Sequence, residues 1–536
     1  LSWVGDFEAE TGIGSNSWVV SGQHTESGLP IVANDPHLDL RAPPVWYQQH
    51  LSTPEYRVRG VTFPGVPFVI IGENENGAWG FTNVGADVID HYEYEIDGDH
   101  YRYGEEWRSF RTDDRTIAVA GSEDEQVETR KTVHGPVLTR EDLTVGVAWT
   151  GLTATETTLS VYRMGKSEGL SSFEAATRHF DLPTQNVVYA DRSGNTYYHV
   201  TGRIPIRQQD GAEISGNRIF DGSAPEGEWE GFTPYSRSSW SGFVPFEEKP
   251  GVVNPGVLAT ANQRVVDEPD HYLGTEYAPP FRGRRIYELL QAAIEEGDVS
   301  PRTMRNIQRD TFDYRAAMLV PQLETVEEDL SETAVRALDT LQDWDYHMDV
   351  DSRAALVFDE FLEAYRAALF AGVLETAGLD PGDAPSDWVA ITIDPESQFF
   401  ERAQAPDSKG AAMKTGLETA AEALSAGDET VYGDRNVVAI DHPFDQEFLN
   451  YSRMPTGGSP ATVMNFRRES TVGSSWRMVA PMAGGSRVIL PGGNSGNPFG
   501  DHYDDQLGKW AGGNYLPFDR DPGDEPDISF HRVEDG

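Results

Sequence analysis

The stretch GIGSNSWVVSG (Gly12–Gly22) holds two glycines one residue apart, a Ser-Asn-Ser-Trp run, and a short apolar segment closed by Ser-Gly. On local grounds it is a glycine-rich turn feeding a β-strand, with SWVVSG (Ser17–Gly22) as the strand. Glycines at 12 and 14 suit a backbone that is strained or closely approached. Further short β-type runs follow in FVIIG (Phe68–Gly72) and TVGVAW (Thr144–Trp149), separated by Gly, Pro, Asn and Asp. NVVYADRSGNTYYHVTG (Asn186–Gly202) reads as a hairpin with Arg192–Asn195 in its turn. Near residue 284 the period changes: Ile286, Leu289, Leu290 and Ala293 take helical spacing, as do Phe358, Phe361, Leu362, Tyr365 and Leu369. Ser300-Pro301 has the form of an N-cap followed by proline at the first helical position. After about residue 430 short apolar runs return. Strands, helices and strands again predict an α+β fold, a layered sheet structure with a helical insertion.

The chain has 536 residues, with 42 Lys+Arg against 88 Asp+Glu and a net charge of −46. Such a surface repels nucleic-acid phosphates and anionic membranes. No apolar run approaches the roughly 18 residues of a membrane span; the best, VPFVIIG (Val66–Gly72), is strand length. With no cysteine, disulfides, thiolate metal sites and cysteine nucleophiles are excluded. Lysine is confined to Lys131, Lys166, Lys249, Lys409, Lys414 and Lys509. An acid-rich, lysine-poor surface suits concentrated salt, where the Debye length shrinks to roughly 3 Å at 1 M. No internal repeat and no long Pro/Gly/Ser linker is present.

HExxH, P-loop and strand-placed GxGxxG motifs are missing, and no histidine cluster has metal-ligand spacing. GKSEG (Gly165–Gly169) matches GxSxG and would make Ser167 the nucleophile of an α/β-hydrolase. Its charged centre and the lack of a preceding apolar strand argue against that alternative. An inactive acidic homologue that keeps only the fold is the other one.

GIGSNSWVVSG, NDPHLDL (Asn34–Leu40) and GAWGFTNVGADVIDHY (Gly77–Tyr92) together resemble the penicillin acylase family of N-terminal nucleophile hydrolases. HGPV at His134, QNVVYAD at Gln185, NPGVLATANQR at Asn254, PFRGRRI at Pro280, GSSWRMV at Gly473 and PGGNSGNP at Pro491 fall in the family's order. The resemblance spans Gly12 to Pro517. It implies a four-layer αββα sandwich and hydrolysis of linear amides: penicillin or cephalosporin side chains, N-acyl homoserine lactones or related N-acyl amides. It further implies residues 1–14 as the end of a spacer or propeptide, 15–283 as the first part of the core, and 284–430 as the helical insertion. Residues 431–536 would return to the core and end in an acidic tail. The family is a heterodimer cut from one precursor, so a small subunit from upstream is the expected partner, and family analogy favours export. No organic cofactor is expected.

Within Ser15-Asn16-Ser17-Trp18, the resemblance makes Ser15 the nucleophile, exposed by self-cleavage at Gly14–Ser15. A free α-amine, with a pKa near 7.7–8.0, then serves as the base that a serine hydroxyl needs. The backbone N–H of Asn83 and the side-chain amide of Asn262 become oxyanion donors. His37 would orient the amine or polarise the water, and Arg282 would hold the oxyanion asparagine or the substrate. Leu38, Ile71 and Phe81 are the implied acyl pocket. Asp87, Ile89 and Asp90 match the family's calcium segment, with Asp270 a weaker further ligand; Ca²⁺ takes six to eight oxygens, so these would form part of a shell.

Overall fold

Gly14–Val20 forms strand β1, buried throughout; the strand expected at Ser17–Gly22 is present but begins at Gly14, because pairing with the next strand carries Gly14–Asn16 into the ladder, and it ends at Val20. The computed structural model describes residues 14–140, 143–234, 242–326 and 330–518; Gly12 and the rest of the spacer before Gly14, and the acidic tail beyond 518, lie outside the described residues. β1 pairs antiparallel with β2 (Ile31–Asp39), setting Gly14 opposite His37, Ser15 opposite Pro36 and Asn16 opposite Asp35. Val257–Thr260 pairs with the other edge of β1. Beyond β2 the sheet continues through Arg477–Pro481, Arg487–Ile489 and Leu516–Pro517, all antiparallel. Val472–Ser474 pairs with the end of β2 and brings Phe466–Arg467 alongside.

A second antiparallel sheet is built from β3 (Tyr47–Thr53), β4 (Tyr56–Thr62), β5 (Ile71–Asn74) and β6 (Gly77–Asn83), then Gln185–Asp191, Thr196–Thr201 and Gly251–Val253. The expected hairpin at Asn186–Gly202 is present as the Gln185–Asp191 and Thr196–Thr201 pair. The FVIIG run contributes only from Ile71, because Phe68 takes a φ of 72° and turns the chain before the strand begins. The sheets meet most closely at Gly80, where a Cβ would stand 2.6 Å from the Asn34 Cβ. Asn34 Nδ2 donates to Phe81 O (2.9 Å) and Asn16 O (3.0 Å), stitching the two layers beside Ser15.

The apolar core between the sheets includes Val19, Val32, Val188 and Trp476, and extends outward to Val161, Met164 and Phe173 on the helices Thr157–Gly165 and Leu170–Thr177. On the opposite side Trp18, Val20 and Ala33 pack against Ile286, Leu290 and Met304 of the helices Phe281–Glu296 and Pro301–Ile307. The layers therefore run helix, sheet, sheet, helix. Trp18 is fully buried, so Trp18→Ala costs about 3–5 kcal/mol.

Ser300 caps the second of those helices, accepting from Thr303 N–H at 3.2 Å. A separate helical body has its own core around Arg353–Ala377, packed on Lys409–Ala426 and Glu332–Gln342. Gly416 permits the tightest crossing, since a Cβ there would lie 2.8 Å from the Tyr365 backbone. A further small sheet, not singled out by the sequence, sets β7 (Ile89–Glu93) beside Leu143–Trp149 and Ile219–Asp221. Among the described residues no helix is long and apolar enough to cross a membrane.

Candidate active site

Strand alternation decides what faces what around Ser15. Opposed residues in a ladder share a face, so Gly14, Asn16, Asp35 and His37 point toward the helices. Ser15, Ser17 and Asn34 point toward the second sheet. The Ser15 hydroxyl donates to Gly14 O at 2.5 Å, beside the carbonyl carbon it would attack in self-cleavage. The Ser15 N–H donates to Asn262 Oδ1 at 2.6 Å.

Asn262 follows the strand Val257–Thr260 and sits at φ 65°, a left-handed conformation that asparagine tolerates. Arg282, in the first turn of Phe281–Glu296, reaches over it. Its guanidinium donates to Asn262 Oδ1 (3.1 Å), Asn16 Oδ1 (2.7 Å) and Ser15 O (2.8 Å). Two donors converging on one side of the Asn262 amide fix its oxygen there and turn its Nδ2 toward Asn83, whose carbonyl it meets at 2.9 Å. A side chain at Gly14 would come 3.1 Å from the Arg282 guanidinium and 3.4 Å from His37 Nδ1, so the residue before Ser15 is closely approached on both sides.

The Asn83 amide is aimed by the same ladder logic. Val84 N–H donates to Thr184 O, which makes Asn83 a non-bonded position opposite Gln185. Its N–H and C=O therefore both turn away from Gln185–Asp191, the side where Asn262 binds the carbonyl. Asn186 braces this end of β6, donating to Thr82 Oγ1 (3.1 Å) and Asn83 O (3.3 Å).

His37 is fully buried, with Nε2 3.1 Å from Asp35 Oδ2. Burial pushes its pKa down against the opposing pull of Asp35, so the ring is neutral at pH 7. Nε2 lies between the Asp35 carboxylate and the Asn16 side-chain amide (3.4 Å), while Nδ1 faces Gly14 and has no hydrogen-bond partner among the described residues. Burial also pushes the Arg282 guanidinium down, to about 9, with the Arg467 charge adding to the effect. Every oxygen that Arg282 touches belongs to a neutral group.

Asn83, Asn262, Phe281, Arg282 and Arg467 line one cleft of about 1980 Å³ between the sandwich and the helical body. The Arg467 side chain makes no hydrogen bond or ion pair among the described residues, and its Nε is buried without a partner. Sequence reasoning passed over this residue and Asp35. Asp35 stands inside NDPHLDL but only the strand register shows that it meets His37; Arg467 stands in no quoted motif.

The remaining sequence-named residues lie elsewhere. Phe81 and Ile71 are core residues, and Leu38 packs on the same cluster. Thr82 bonds Thr260 across the sheets at 2.8 Å, so alternation turns Phe81 to the opposite face, against Phe180 (ring centroids 5.2 Å apart). The Ser167 alternative is corrected by the structure. Ser167 lies between two helices rather than on a strand-to-helix elbow, and its buried hydroxyl donates to Met164 O at 2.7 Å.

Asp87 and Asp90 do come together, around a residue the sequence reading missed. Arg207 Nε donates to both Asp90 oxygens (2.8 and 3.0 Å), while Nη2 donates to Asp87 Oδ1 (2.8 Å) and Asp87 O (3.0 Å). Trp229 Nε1 also donates to Asp90 Oδ2, and Tyr272 to Asp87 Oδ2. Burial works against the Arg207 charge, but Asp90 and Asp87 outweigh it and hold its pKa above the ordinary value. Asp270 is exposed. Among the described residues no three histidine or carboxylate side chains converge as metal ligands.

A serine hydroxyl one atom pair from its own upstream carbonyl, its backbone nitrogen held by an asparagine at the edge of an αββα sandwich, defines an N-terminal nucleophile hydrolase. The chain belongs to the penicillin amidase family, which it matches over residues 3–526; members of this class hydrolyse amides. It is 31% identical to the penicillin acylase 2 proenzyme of a Pseudomonas species, over 95% of this chain and 67% of that protein. It is 25% identical to the acyl-homoserine lactone acylase QuiP of Pseudomonas fluorescens, over 95% of this chain and 66% of that one. The chain thus spans about two thirds of the length of these relatives. The structure of a thermostable penicillin G acylase from Alcaligenes faecalis shares the fold, with a TM-score of 0.72 at 20% identity, covering 97% of this chain and all of that one.

Proposed function

We propose that this chain is the catalytic part of an acylase that cleaves linear N-acyl amides through an ester on Ser15. The first reaction is on itself. Ser15 Oγ bonds to the Gly14 carbonyl carbon, the Gly14–Ser15 C–N bond breaks, and the hydroxyl proton passes to the departing nitrogen. Water then hydrolyses the ester, which restores the Ser15 hydroxyl beside its freed amine and leaves Gly14 as a carboxylate. In turnover that amine takes the proton from Oγ, through one water, as Oγ attacks the substrate carbonyl. Asn83 N–H and the second hydrogen of Asn262 Nδ2 receive the oxyanion. Collapse expels the substrate amine with the proton, and water releases the acid. The observation that carries this reading is the Ser15 nitrogen held 2.6 Å from Asn262 Oδ1 under the Arg282 guanidinium.

The cleft supports a finer reading of the substrate, an amide whose amine portion bears a carboxylate. Among the described residues Arg467 and Arg282 line the cleft without an ion pair, although Asp387 lies within electrostatic reach of Arg467 and Asp35 of Arg282, and an anion there would find two guanidinium groups free to bind it. The test uses the full-length processed protein and one acyl group on p-aminobenzoate or on p-aminobenzamide. Ser15-dependent release of either amine supports the acylase. A higher kcat/KM for the benzoate, reduced about tenfold by Arg467→Gln while the benzamide is unaffected, supports the anionic substrate. Equal rates on both amides would overturn the finer reading and leave the acylase standing.

A further inference from the structure

We infer that Arg207 is the resident cation of the Asp87–Asp90 site, standing in place of a divalent metal and positioning the segment that carries the Asn83 amide. All four carboxylate oxygens already accept from protein donors: Asp90 from Arg207 and Trp229, Asp87 from Arg207 and Tyr272. The Asp87 carbonyl also accepts from Arg207. A calcium ion would need those same lone pairs at about 2.3–2.6 Å, and the buried guanidinium would repel it. Space closes the site as well. A Cβ at Gly216 would fall 2.3 Å from Asp87 Oδ2 and 2.5 Å from Arg207 Cζ, so the chain lies directly on the ion pair.

Arg207 begins the strand Arg207–Gln209, while Asp90 lies in β7. The guanidinium therefore ties the small sheet to the turn that leaves β6. Only residues 84–86 separate Asn83 from Asp87, whose N–H is itself held by Leu273 O at 2.7 Å. Anchoring Asp87 sets the direction in which the Asn83 N–H points. That positioning role rests on the acylase reading above; the substitution of guanidinium for metal does not.

The test is made on the full-length processed protein. Elemental analysis should find no stoichiometric calcium, and excess EDTA should leave both Tm and kcat/KM unchanged. Arg207→Ala should lower Tm by roughly 5 °C or more and reduce kcat with little change in KM. Millimolar Ca²⁺ should then restore part of the lost Tm, because two facing carboxylates without their guanidinium make a cation site. If Arg207→Ala does not fold, Arg207→Lys supplies a smaller charge that reaches fewer oxygens, and its Tm should rise with added Ca²⁺. One calcium per chain in the wild-type protein, with Tm lost to EDTA and restored by calcium, would overturn the inference. An Arg207→Ala protein of unaltered Tm would do so too. Metal content and Tm are read without substrate, so failure here is distinct from failure of the acylase reading.

Discussion

Arg207 and Arg282 are both buried, and their surroundings treat them in opposite ways. Arg207 is met by two carboxylates, Asp87 and Asp90; Arg282 is met by the carbonyl of Ser15 and the amide oxygens of Asn16 and Asn262. Burying a charge costs several kcal/mol unless partners compensate. At Arg207 the partners are anionic and the charge is neutralised in place as a structural tie. At Arg282 they are only polar, and burial pushes the group down to about 9, so it stays protonated near neutrality and its field reaches the Ser15–Asn262 pair. An unneutralised charge is costly to hold and useful where negative charge develops during reaction.

The largest expected effect removes the nucleophile that this field serves. Ser15→Ala should abolish turnover, a loss of about 10⁵-fold or more, and leave Gly14–Ser15 uncut, whereas Ser167→Ala should keep activity within about twofold. Steady-state rates and the mass of each product check both. The comparison itself is tested next by Arg282→Gln. It should lower kcat by about 10²–10³-fold with a small change in KM, and Arg282→Lys should not restore it, since one ammonium cannot reach three oxygens. If Arg282→Gln instead lost stability while keeping kcat, the contrast with Arg207 would break.

The same contrast recurs, more weakly, between two histidines. Among the described residues His199 has no carboxylate contact; burial pushes it down to about 4, and its Nδ1 bonds Val200 O. Above pH 6.5 it is neutral in both folded and unfolded chains and contributes nothing. Below 6.5 the unfolded chain takes the proton first, so stability falls as pH drops toward 4, by up to about 3 kcal/mol. His271 lies between Glu213 and Glu248, which raise its pKa against a burial effect that would lower it. Its contribution is complete below 6.5 and disappears as pH rises through the folded value. Thermal melts from pH 4 to 8 should show the acid-side slope reduced in His199→Gln and the neutral-side slope reduced in His271→Gln.

Legibility in the sequence followed how local each feature is. Ser15, Asn83, Asn262 and Arg282 stand in short motifs of unusual composition, and the structure gathers them around one peptide bond. The strand–helix–strand order gave the layers, because period 2 and period 3.6 are local properties. Phe81 shows where this stops: in β6 its neighbour Thr82 faces the first sheet, and a one-residue alternation turns Phe81 the other way. Asp87 and Asp90 show it differently. Two acids three residues apart ask for a positive partner, and nothing local distinguishes a metal from an arginine 117 residues downstream of Asp90. The helix Phe281–Glu296 has the expected spacing, but its membership in the sandwich rather than the separate helical body follows from packing on Trp18 and Ala33.

The most direct test of the mechanism is the intact mass and N-terminal sequence of purified, active protein. The account predicts a catalytic chain that begins Ser-Asn-Ser-Trp with a free amine on Ser15. Full activity in protein whose Gly14–Ser15 bond is unbroken would contradict it.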